Sequence, residues 1–579
     1  MFGKKQTVAD QLVEVLVQAG VKRIYGIVGD SLNALTDAIR RSGEIDWVHV
    51  HNEEAAAFAA SAEAQLTGRL AVCAGSCGPG NTHLIQGVFD AHRSGAPVLA
   101  IASHIMSTEI GTGFFQETDP KRLFDQASHW AELVSAADQM PRMARVGMQT
   151  AVGRRGAAVL VVPGDVLEAE AAQPTGTGHP PVGPVLAAPP AGVIDELAER
   201  INRAERVAIF GGIGCAGSRA EVLDLAARLN APVGHSLRGK ESLQYDNPYD
   251  VGMSGLLGYG ACYDACHEAD LLLLLGTDFP YRQFLPQKNT VQIDLDPSRL
   301  GRRTPLELAV AGDVGATIRQ LLPKVEPKDR TFLDRMLAKH AGELERVVGA
   351  YTHDVEQMTP IHPEYVAAML DELAADDAVF TADTGMCCSW IARYITPNGR
   401  RRLLGSWVHG SMANALPQAV GAQLLDRGRQ VISMSGDGGL AMLLGELLTL
   451  RTHRLPVKVV VFNNSSLGMV RLEMMVAGDP PFETDHESVD FAAIARAAGL
   501  YTVRVEKPAD LRDGLRSVLD HDGPALLDVV TDPDALEIPP HITKEEAAGF
   551  ALSAGRTVLA GGVGQMLHVA RANLRNLPG

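Results

Sequence analysis

Two short polar segments in the C-terminal third of the chain could together bind a metal ion and a phosphate group. Gly436-Asp437-Gly438-Gly439 follows one apolar run, and Asn463-Asn464 follows the next. The carboxyl ends of parallel strands lie at one edge of a sheet, so we expect Asp437 and Asn464 to be neighbours. One carboxylate and one amide oxygen suit Mg²⁺, whose octahedron phosphate oxygens and water complete. A helix beginning after Gly436 would direct its free N–H groups at the phosphate.

Short apolar runs alternate with helical patterns along the whole chain, which is typical of stacked βαβ units. We therefore expect an α/β protein whose parallel sheets are flanked by helices. Strands are predicted at 70–74, 98–102, 158–162, 207–210, 271–275, 291–294, 431–434 and 457–462. Two linker-like segments, 168–190 and 323–363, divide the chain. They predict domains at 1–180, 186–340 and 355–535, followed by a tail at 540–579.

Composition narrows the class of protein. A formal charge of −17 argues against a nucleic-acid partner, because phosphate neutralisation needs clustered Lys and Arg. The seven cysteines show neither zinc-site spacing nor a disulfide framework, so we expect buried thiols. No signal-peptide core is visible at the N-terminus, and no apolar stretch approaches 18 residues. These features predict a cytoplasmic protein.

The Gly-Asp-Gly and Asn-Asn segments resemble the signature of thiamine-diphosphate-dependent enzymes, in which the cofactor is bound through Mg²⁺. By this resemblance the Mg²⁺ ligands are Asp437, Asn464 and the main-chain carbonyl of Ser466. Gly438 and Gly439 would lie against thiamine diphosphate. The resemblance covers nearly the whole chain.

A second segment, Asn52-Glu53-Glu54 before an Ala-rich stretch, is similar to the family's Glu-containing element. Thiamine chemistry needs a carboxyl group that shares a proton with the pyrimidine nitrogen N1′. Taken alone, a Glu in the first turn of a helix is ordinarily explained by the helix dipole. The resemblance implies that Glu53 is the catalytic residue.

The segment 405–414 resembles the part of the family that shapes the cofactor. The Gly410 carbonyl would accept the aminopyrimidine N–H, and Met412 would support the bend between the two rings. In this family the Glu domain of one subunit faces the metal domain of another. The resemblance therefore implies at least a dimer, and we expect a homotetramer.

A glycine-rich segment, 211–217, follows a predicted strand in the middle block and contains Gly-x-Gly-x-x-Gly. It could open a dinucleotide site, although the acidic residue that an NAD site needs about 20 positions later is missing. The block resembles the FAD-binding domain of the pyruvate oxidase and acetohydroxyacid synthase group. By that resemblance the FAD contacts are Gly212, Gly214, Arg238, Thr277, Phe279, Asp294 and Asp313.

Segments 71–81, 246–252 and 401–405 look most like the pyruvate dehydrogenase (quinone) family. That likeness implies oxidation of pyruvate to acetate, with electrons passing through FAD to a membrane quinone. It also implies a substrate pocket formed by Phe115, Gln116, Met469, Val470 and Glu473. Two alternatives remain: an acetolactate synthase, and a pyruvate oxidase that uses oxygen and makes acetyl phosphate.

The tail is free of acidic residues from 547 onward. Val563, Met566, Leu567, Ala570 and Leu574 share one helical face, and His568, Arg571 and Arg575 group on another. A basic amphipathic helix can lie on a phospholipid surface or dock on the protein body. In the resembling family such a segment binds the membrane, so we expect peripheral association with the inner face of the cell membrane.

Overall fold

The computed structural model describes residues 5–172, 174–535, 544–559 and 563–576. The first sheet is built from β1 (Arg23–Gly26), β2 (Asp46–His49), β3 (Ala71–Gly75), β4 (Val98–His104), β5 (Ala131–Leu133) and β6 (Ala157–Pro163). Its strand order is β2-β1-β3-β4-β6-β5, and all neighbouring pairs are parallel. The helices of this unit are α1 (Val8–Gln18), α2 (Asn33–Ser42), α3 (Glu53–Thr67), α4 (Pro79–Ser94), α5 (Pro120–Phe124), α6 (Met140–Arg154) and α7 (Gly164–Glu168).

The second sheet contains β7 (Val207–Gly211), β8 (Val233–His235), β9 (Asp250–Met253), β10 (Tyr259–Gly260), β11 (Leu271–Leu275), β12 (Thr290–Asp294) and β13 (Leu308–Ala311). Its order is β10-β9-β8-β7-β11-β12-β13, with only the short edge strand β10 antiparallel to its neighbour. Its helices are α8 (Ala191–Arg203), α9 (Arg219–Leu229), α10 (Leu237–Leu243), α11 (Cys262–Glu268), α12 (Val314–Leu321) and α13 (Thr331–Glu343).

The third sheet consists of β14 (Val379–Ala382), β15 (Arg402–Gly405), β16 (Val431–Gly436), β17 (Lys458–Asn463), β18 (Tyr501–Val505) and β19 (Ala525–Val530). It is parallel throughout, with the order β15-β14-β16-β17-β19-β18. Its helices are α14 (Pro363–Leu373), α15 (Met386–Tyr394), α16 (Ala415–Leu425), α17 (Asp437–Met442), α18 (Glu446–His453), α19 (Gly468–Ala477), α20 (Phe491–Ala497) and α21 (Leu511–Leu519). The predicted α/β fold class and all eight predicted strands are confirmed, whereas the exact domain limits stay predictions.

The first and third units share one hydrophobic core, centred where α3 crosses α16. The small side chains of α3, most of them Ala, let the two backbones approach closely. A Cβ atom added to Gly421 of α16 would lie 2.2 Å from the carbonyl oxygen of Ala59. Glycine is therefore required there for packing.

We expect Gly421→Ala to destabilise the protein by about 1–3 kcal/mol, because the added methyl group must push two helix backbones apart. Gly342→Ala is the matched control, since its Cβ would meet nothing within 4 Å in α13. The control should be neutral or slightly stabilising, because Ala is the better helix former. Urea unfolding of both variants measures the difference, and equal stability would contradict the proposed crossing.

Two helices follow the third unit, α22 (Lys544–Leu559) and α23 (Val563–Ala572). Helix α22 packs on α19, where Ser553 Oγ donates to the carbonyl of Asp479 at 2.8 Å and Arg556 donates to the carbonyl of Gly478 at 2.7 Å. Val569 of α23 packs against Met475 of α19. The tail helices thus contact one helix of the third unit.

The predicted apolar face of the last helix packs only in part: Met566 packs against Met475 and Val569, while the side chain of Val563 lies outside the described residues. Val569 and Ala572 are buried, whereas Leu567 and Leu574 of the predicted stripe are exposed. Helical spacing alone cannot show where the neighbouring helix α19 lies, and Leu567 and Leu574 remain at the surface. Arg575 donates to the carbonyls of residues 350, 353 and 354, which fixes the end of the tail to the protein body.

Two further expectations concern cysteines and membrane-spanning segments. All seven cysteines are buried free thiols, which confirms that prediction. Within the described residues, no helix is both long and apolar enough to cross a bilayer.

Candidate active site

The structure brings Asp437 and Asn464 together at the carboxyl edge of the third sheet. Strands β16 and β17 pair with Gly436 opposite Phe462, so the residues after the two strands are neighbours. The Asp437 carboxylate accepts N–H groups from Gly438 at 2.7 Å and Ser465 at 2.6 Å. Asn464 Oδ1 accepts the N–H of Ser466 at 3.0 Å, which orders this loop.

Asp437 is buried, and the groups around it shift the pKa of its carboxyl group in opposite directions. Burial raises the pKa of its carboxyl group above the ordinary value, while the N–H of Gly438 and the imidazole of His486 lower it. His486 Nε2 lies 3.5 Å from Asp437 Oδ2. Sequence reasoning missed His486, because no spacing rule links the loop that carries it to Asp437.

A pocket opens beside these residues and has features that fit a diphosphate. Among the described residues, no side chain caps α15 or α19, which both begin at its wall, so their first turns can offer N–H groups to an anion. Within the described chain, the buried Thr384 Oγ1 at the wall has no hydrogen-bond partner. These donors suit phosphate oxygens.

Gly438 and Gly439 keep the pocket open and let its wall pack closely. A Cβ on Gly438 would lie 2.9 Å from Leu467 Cδ2 and 3.4 Å from Met412 Cε. A Cβ on Gly439 would lie 2.4 Å from Asp383 Oδ2. Met412 also lines the pocket, beside the residues predicted for the metal.

The described residues contain no cluster of three or more His, Cys, Asp or Glu side chains that could hold a metal ion. Asp437 and Asn464 would supply one carboxylate and one amide, with the Ser466 carbonyl as the third protein oxygen. Mg²⁺ commonly takes few protein ligands and completes its octahedron with phosphate oxygens and water. The donor set therefore fits Mg²⁺ bound together with a diphosphate.

Because protons compete with a cation for a carboxylate, metal binding should weaken on acidification. Burial raises the pKa of Asp437, so we expect this loss at a higher pH than for an ordinary Asp. His486→Gln removes a group that lowers the pKa of Asp437, so the variant should lose metal binding at a still higher pH. Measuring Mg²⁺-dependent cofactor binding between pH 5 and 8 tests this, and a shift to lower pH in the variant would contradict it.

Glu53 lies buried at the start of α3, where Asn52 caps the helix by accepting the N–H of Glu54. Glu53 Oε2 is 2.9 Å from Nδ1 of His83 on α4. The other carboxylate oxygen faces Gly80, whose added Cβ would lie 3.1 Å from it. Sequence reasoning missed His83, because nothing in the sequence reveals how α3 and α4 pack.

No hydrogen bond or ion pair joins Glu53 to Asp437 in the described part of the chain, where each has its own partners. The predicted meeting of one subunit's Glu53 with another subunit's metal residues therefore stays a prediction.

The candidate substrate residues lie in two groups. Met469 and Val470 of α19 line the pocket near Asn464, and Glu473 is one turn further along that helix. Phe115 and Gln116 belong instead to the first unit. Phe115 is 77% exposed, and Gln116 accepts the Cys77 thiol at 3.4 Å beside the Glu53 region.

The candidate FAD residues lie mainly at the carboxyl ends of the second sheet's strands. Gly212 and Gly214 follow β7, but α9 begins only at Arg219, beyond the glycine motif. Added Cβ atoms on these glycines would meet the backbone or side chain of Gly276 and Thr277 at 2.5–2.9 Å. Here the glycines permit two strand ends to approach each other.

The other candidates are Phe279, Asp294, Asp313 and Arg238. Phe279 is buried and stacks edge-on against Phe210. Asp294 ends β12, and burial raises the pKa of its carboxyl group. Asp313 caps α12 by accepting the N–H of Ala316 at 2.8 Å, and Arg238 donates to the carbonyl of Ser94 in the first unit.

Comparison with known proteins agrees with this architecture. Residues 6–123, 194–321 and 383–529 match the family descriptions "Thiamine pyrophosphate enzyme, N-terminal TPP binding domain", "central domain" and "C-terminal TPP binding domain". Thiamine pyrophosphate is another name for thiamine diphosphate. The chain therefore belongs to the thiamine pyrophosphate enzyme family.

Curated relatives match along most of the chain. The putative thiamine pyrophosphate-containing protein YdaP of Bacillus subtilis is 34% identical, covering 94% of this chain and 95% of the relative. Acetolactate synthase isozyme 1 large subunit of Escherichia coli is 30% identical, with coverage of 94% and 98%. Pyruvate oxidase of Lactiplantibacillus plantarum is 29% identical, with coverage of 90% and 88%. The chain is thus a thiamine-diphosphate-dependent enzyme related to pyruvate oxidase and acetolactate synthase.

Proposed function

We propose that this enzyme oxidises pyruvate and passes the electrons through FAD to a membrane quinone. Pyruvate, water and quinone give acetate, CO₂ and quinol, and oxidation of the two-carbon fragment to acetate supplies the two electrons that reduce the quinone. The observation that carries the proposal is the position of α22 and α23 on α19. That helix bears Met469, Val470 and Glu473, so the tail helices that we propose to bind the membrane lie beside the candidate substrate pocket.

When bound, thiamine diphosphate supplies the electron sink that makes decarboxylation possible. Asp437, Asn464 and the Ser466 carbonyl would hold its diphosphate through Mg²⁺. Glu53 would exchange a proton with the pyrimidine nitrogen, and His83 would hold the Glu53 carboxyl group in place. Met469 and Val470 provide an apolar wall for the methyl end of a small keto acid.

FAD would be held by the carboxyl edge of the second sheet, through Thr277, Phe279 and Asp294. The second unit also contains Arg238, Asp313, Gly212 and Gly214. The described contacts between Arg238 and Ser94 join this unit to the first one. The unit that would hold the flavin is therefore in contact with the unit that carries Glu53.

Acetolactate synthase activity and oxygen-dependent pyruvate oxidation are the competing functions, and both occur among the relatives by name. Anaerobic addition of pyruvate to the enzyme loaded with FAD, thiamine diphosphate and Mg²⁺ separates them. Bleaching of the flavin absorbance, followed by recovery on adding a quinone analogue, supports the proposal. Acetolactate formation without bleaching would overturn it, as would acetyl phosphate formation that needs oxygen and phosphate.

The tail provides a second test of the same proposal. Leu559 is 89% exposed on α22. Leu559→Asp should weaken binding to anionic phospholipid vesicles several-fold, because a charge opposes insertion of an apolar face. Val185→Asp is the control, since Val185 is 82% exposed but lies in the linker before the second unit. Vesicle co-sedimentation measures both. Equal binding by the two variants would argue against a membrane role for the tail.

A chain truncated before Arg556 should bind vesicles less and reduce quinone more slowly at the membrane. If it bound lipid and reduced quinone as well as the whole chain, the membrane part of the proposal would fail.

A further inference from the structure

Residues 406–412, here called the β15–α16 loop, are fastened to helix α4 by buried hydrogen bonds. Ser406 Oγ donates to Asp90 Oδ1 at 2.7 Å, and Ser406 Oγ also accepts the N–H of Ser411 at 3.0 Å. The N–H of Gly410 donates to the carbonyl of Ser406 at 2.8 Å. A chain of contacts therefore runs from Asp90 to the peptide that joins Gly410 and Ser411.

Asp90 has no solvent-exposed surface and receives two hydroxyl groups, one on each carboxylate oxygen. The second is Ser61 of α3, whose Oγ donates to Asp90 Oδ2 at 3.1 Å. Burial raises the pKa of Asp90, which stands at about 6, while the two serines, Arg238 and the Gln418 side chain lower it. A buried acid with two donors is a fixed anchor, because any displacement would leave polar groups without partners.

The direction of one carbonyl follows from this anchor. The Gly410 C=O and the Ser411 N–H belong to one planar, trans peptide group and point in opposite directions. Holding the Ser411 N–H on Ser406 Oγ therefore fixes the opposite orientation for the Gly410 carbonyl. Gly410 has a φ of 79°, a left-handed conformation that favours glycine, so the loop is built to turn this peptide.

We propose that Asp90 is a positioning residue that acts through Ser406 to orient the Gly410 carbonyl toward the aminopyrimidine of thiamine diphosphate. The inference rests on the proposed thiamine-diphosphate chemistry and on the role that the family resemblance implies for Gly410, but not on the identity of the substrate or of the electron acceptor. Asp90 itself would not touch the cofactor.

Other side chains of α4 bind the same loop. Gln86 Nε2 donates to Ser411 Oγ at 2.9 Å, and the Phe89 ring stacks on His409 with centroids 5.4 Å apart. One turn before Gln86, His83 contacts Glu53. Helix α4 therefore holds both the candidate catalytic acid and the loop that carries the Gly410 carbonyl.

Ser406→Ala and Ser61→Ala form a matched pair, since each removes one hydroxyl group from Asp90 but only the first cuts the link to Ser411. We expect Ser406→Ala to speed hydrogen exchange of a peptide containing the Ser411 amide. It should also change the near-ultraviolet circular dichroism of bound thiamine diphosphate. Turnover should fall by up to about 100-fold, the scale of a misplaced reacting group. Ser61→Ala weakens the anchor but keeps the link from Asp90 through Ser406 to Ser411, so it should change all three far less than Ser406→Ala does.

Asp90→Asn keeps an oxygen that can accept the Ser406 hydroxyl and should retain more of the wild-type dichroism than Asp90→Ala. Thermal unfolding of the apo-proteins identifies any variant that does not fold. The comparison of Ser406→Ala with Ser61→Ala then tests the inference. Identical dichroism and exchange in the two serine variants would overturn the inference. The dichroism needs only bound cofactor, so it remains readable if pyruvate is not the substrate, whereas absent binding in the wild-type enzyme would refute the proposed function instead.

Discussion

Glu53→Gln should lower turnover by about 100- to 10,000-fold, the usual contribution of a positioned acid–base group. The amide keeps nearly the same shape and can still bond to His83, which lies 2.9 Å from the carboxylate. It cannot exchange a proton with the pyrimidine nitrogen. Steady-state turnover, together with the rate of hydrogen–deuterium exchange at C2 of the bound cofactor, measures the loss.

Glu54→Gln is the control for that experiment. Glu54 is the next residue of α3, is partly buried, and has a pKa raised by burial. If the effect came only from removing a negative charge at the start of α3, both variants would lose activity alike. We expect Glu54→Gln to stay within a few-fold of the wild type, and similar losses in both would remove Glu53 from its proposed role.

Asp437→Ala should weaken Mg²⁺-dependent binding of thiamine diphosphate by at least about 100-fold, or ~2.7 kcal/mol. The substitution removes the charged protein oxygen of the proposed metal site. It also frees the two N–H groups, from Gly438 and Ser465, that the carboxylate now accepts. Quenching of intrinsic fluorescence by the cofactor, with Mg²⁺ and with EDTA, gives both affinities.

Asp532→Asn offers a matched acid in the same pocket. Its Oδ1 accepts the N–H of Asp534 at 2.8 Å, a contact that Asn can keep. We expect little change in its Mg²⁺ dependence. Should Asp437→Ala retain tight, EDTA-sensitive binding while Asp532→Asn loses it, the metal site would have to be moved to Asp532.

The buried parallel strands could be predicted from sequence, because strands covered on both faces are continuous apolar runs. All eight predicted runs coincide with strands, including β16 and β17, whose ends carry Asp437 and Asn464. The remaining described strands were not among the predicted runs, and the edge strands β5 and β10 belong to this group. These two are two or three residues long, and β5 is only partly buried, so neither gives a periodic signal.

Contacts between elements were beyond sequence reasoning. Glu53 was predicted, but its partner His83 lies on another helix, and only the packing of α3 on α4 brings them together. The same holds for the link from Asp90 to Ser406, which joins two units. On α23 the helical spacing placed Leu567 on the apolar face, but Leu567 is exposed. Contact with Met475 instead buries Val569.

The first and third sheets share one strand order, with β2 and β15, β1 and β14, and β3 and β16 in corresponding places. Helices α3 and α16, which cross at Ala59 and Gly421, follow corresponding strands. The chain thus contains two units with one architectural plan, packed against each other where α3 crosses α16. The two units differ in the polar residues that they carry: one has Glu53 and the other Asp437. Neither half-chain, expressed by itself, should inherit the activity of the whole.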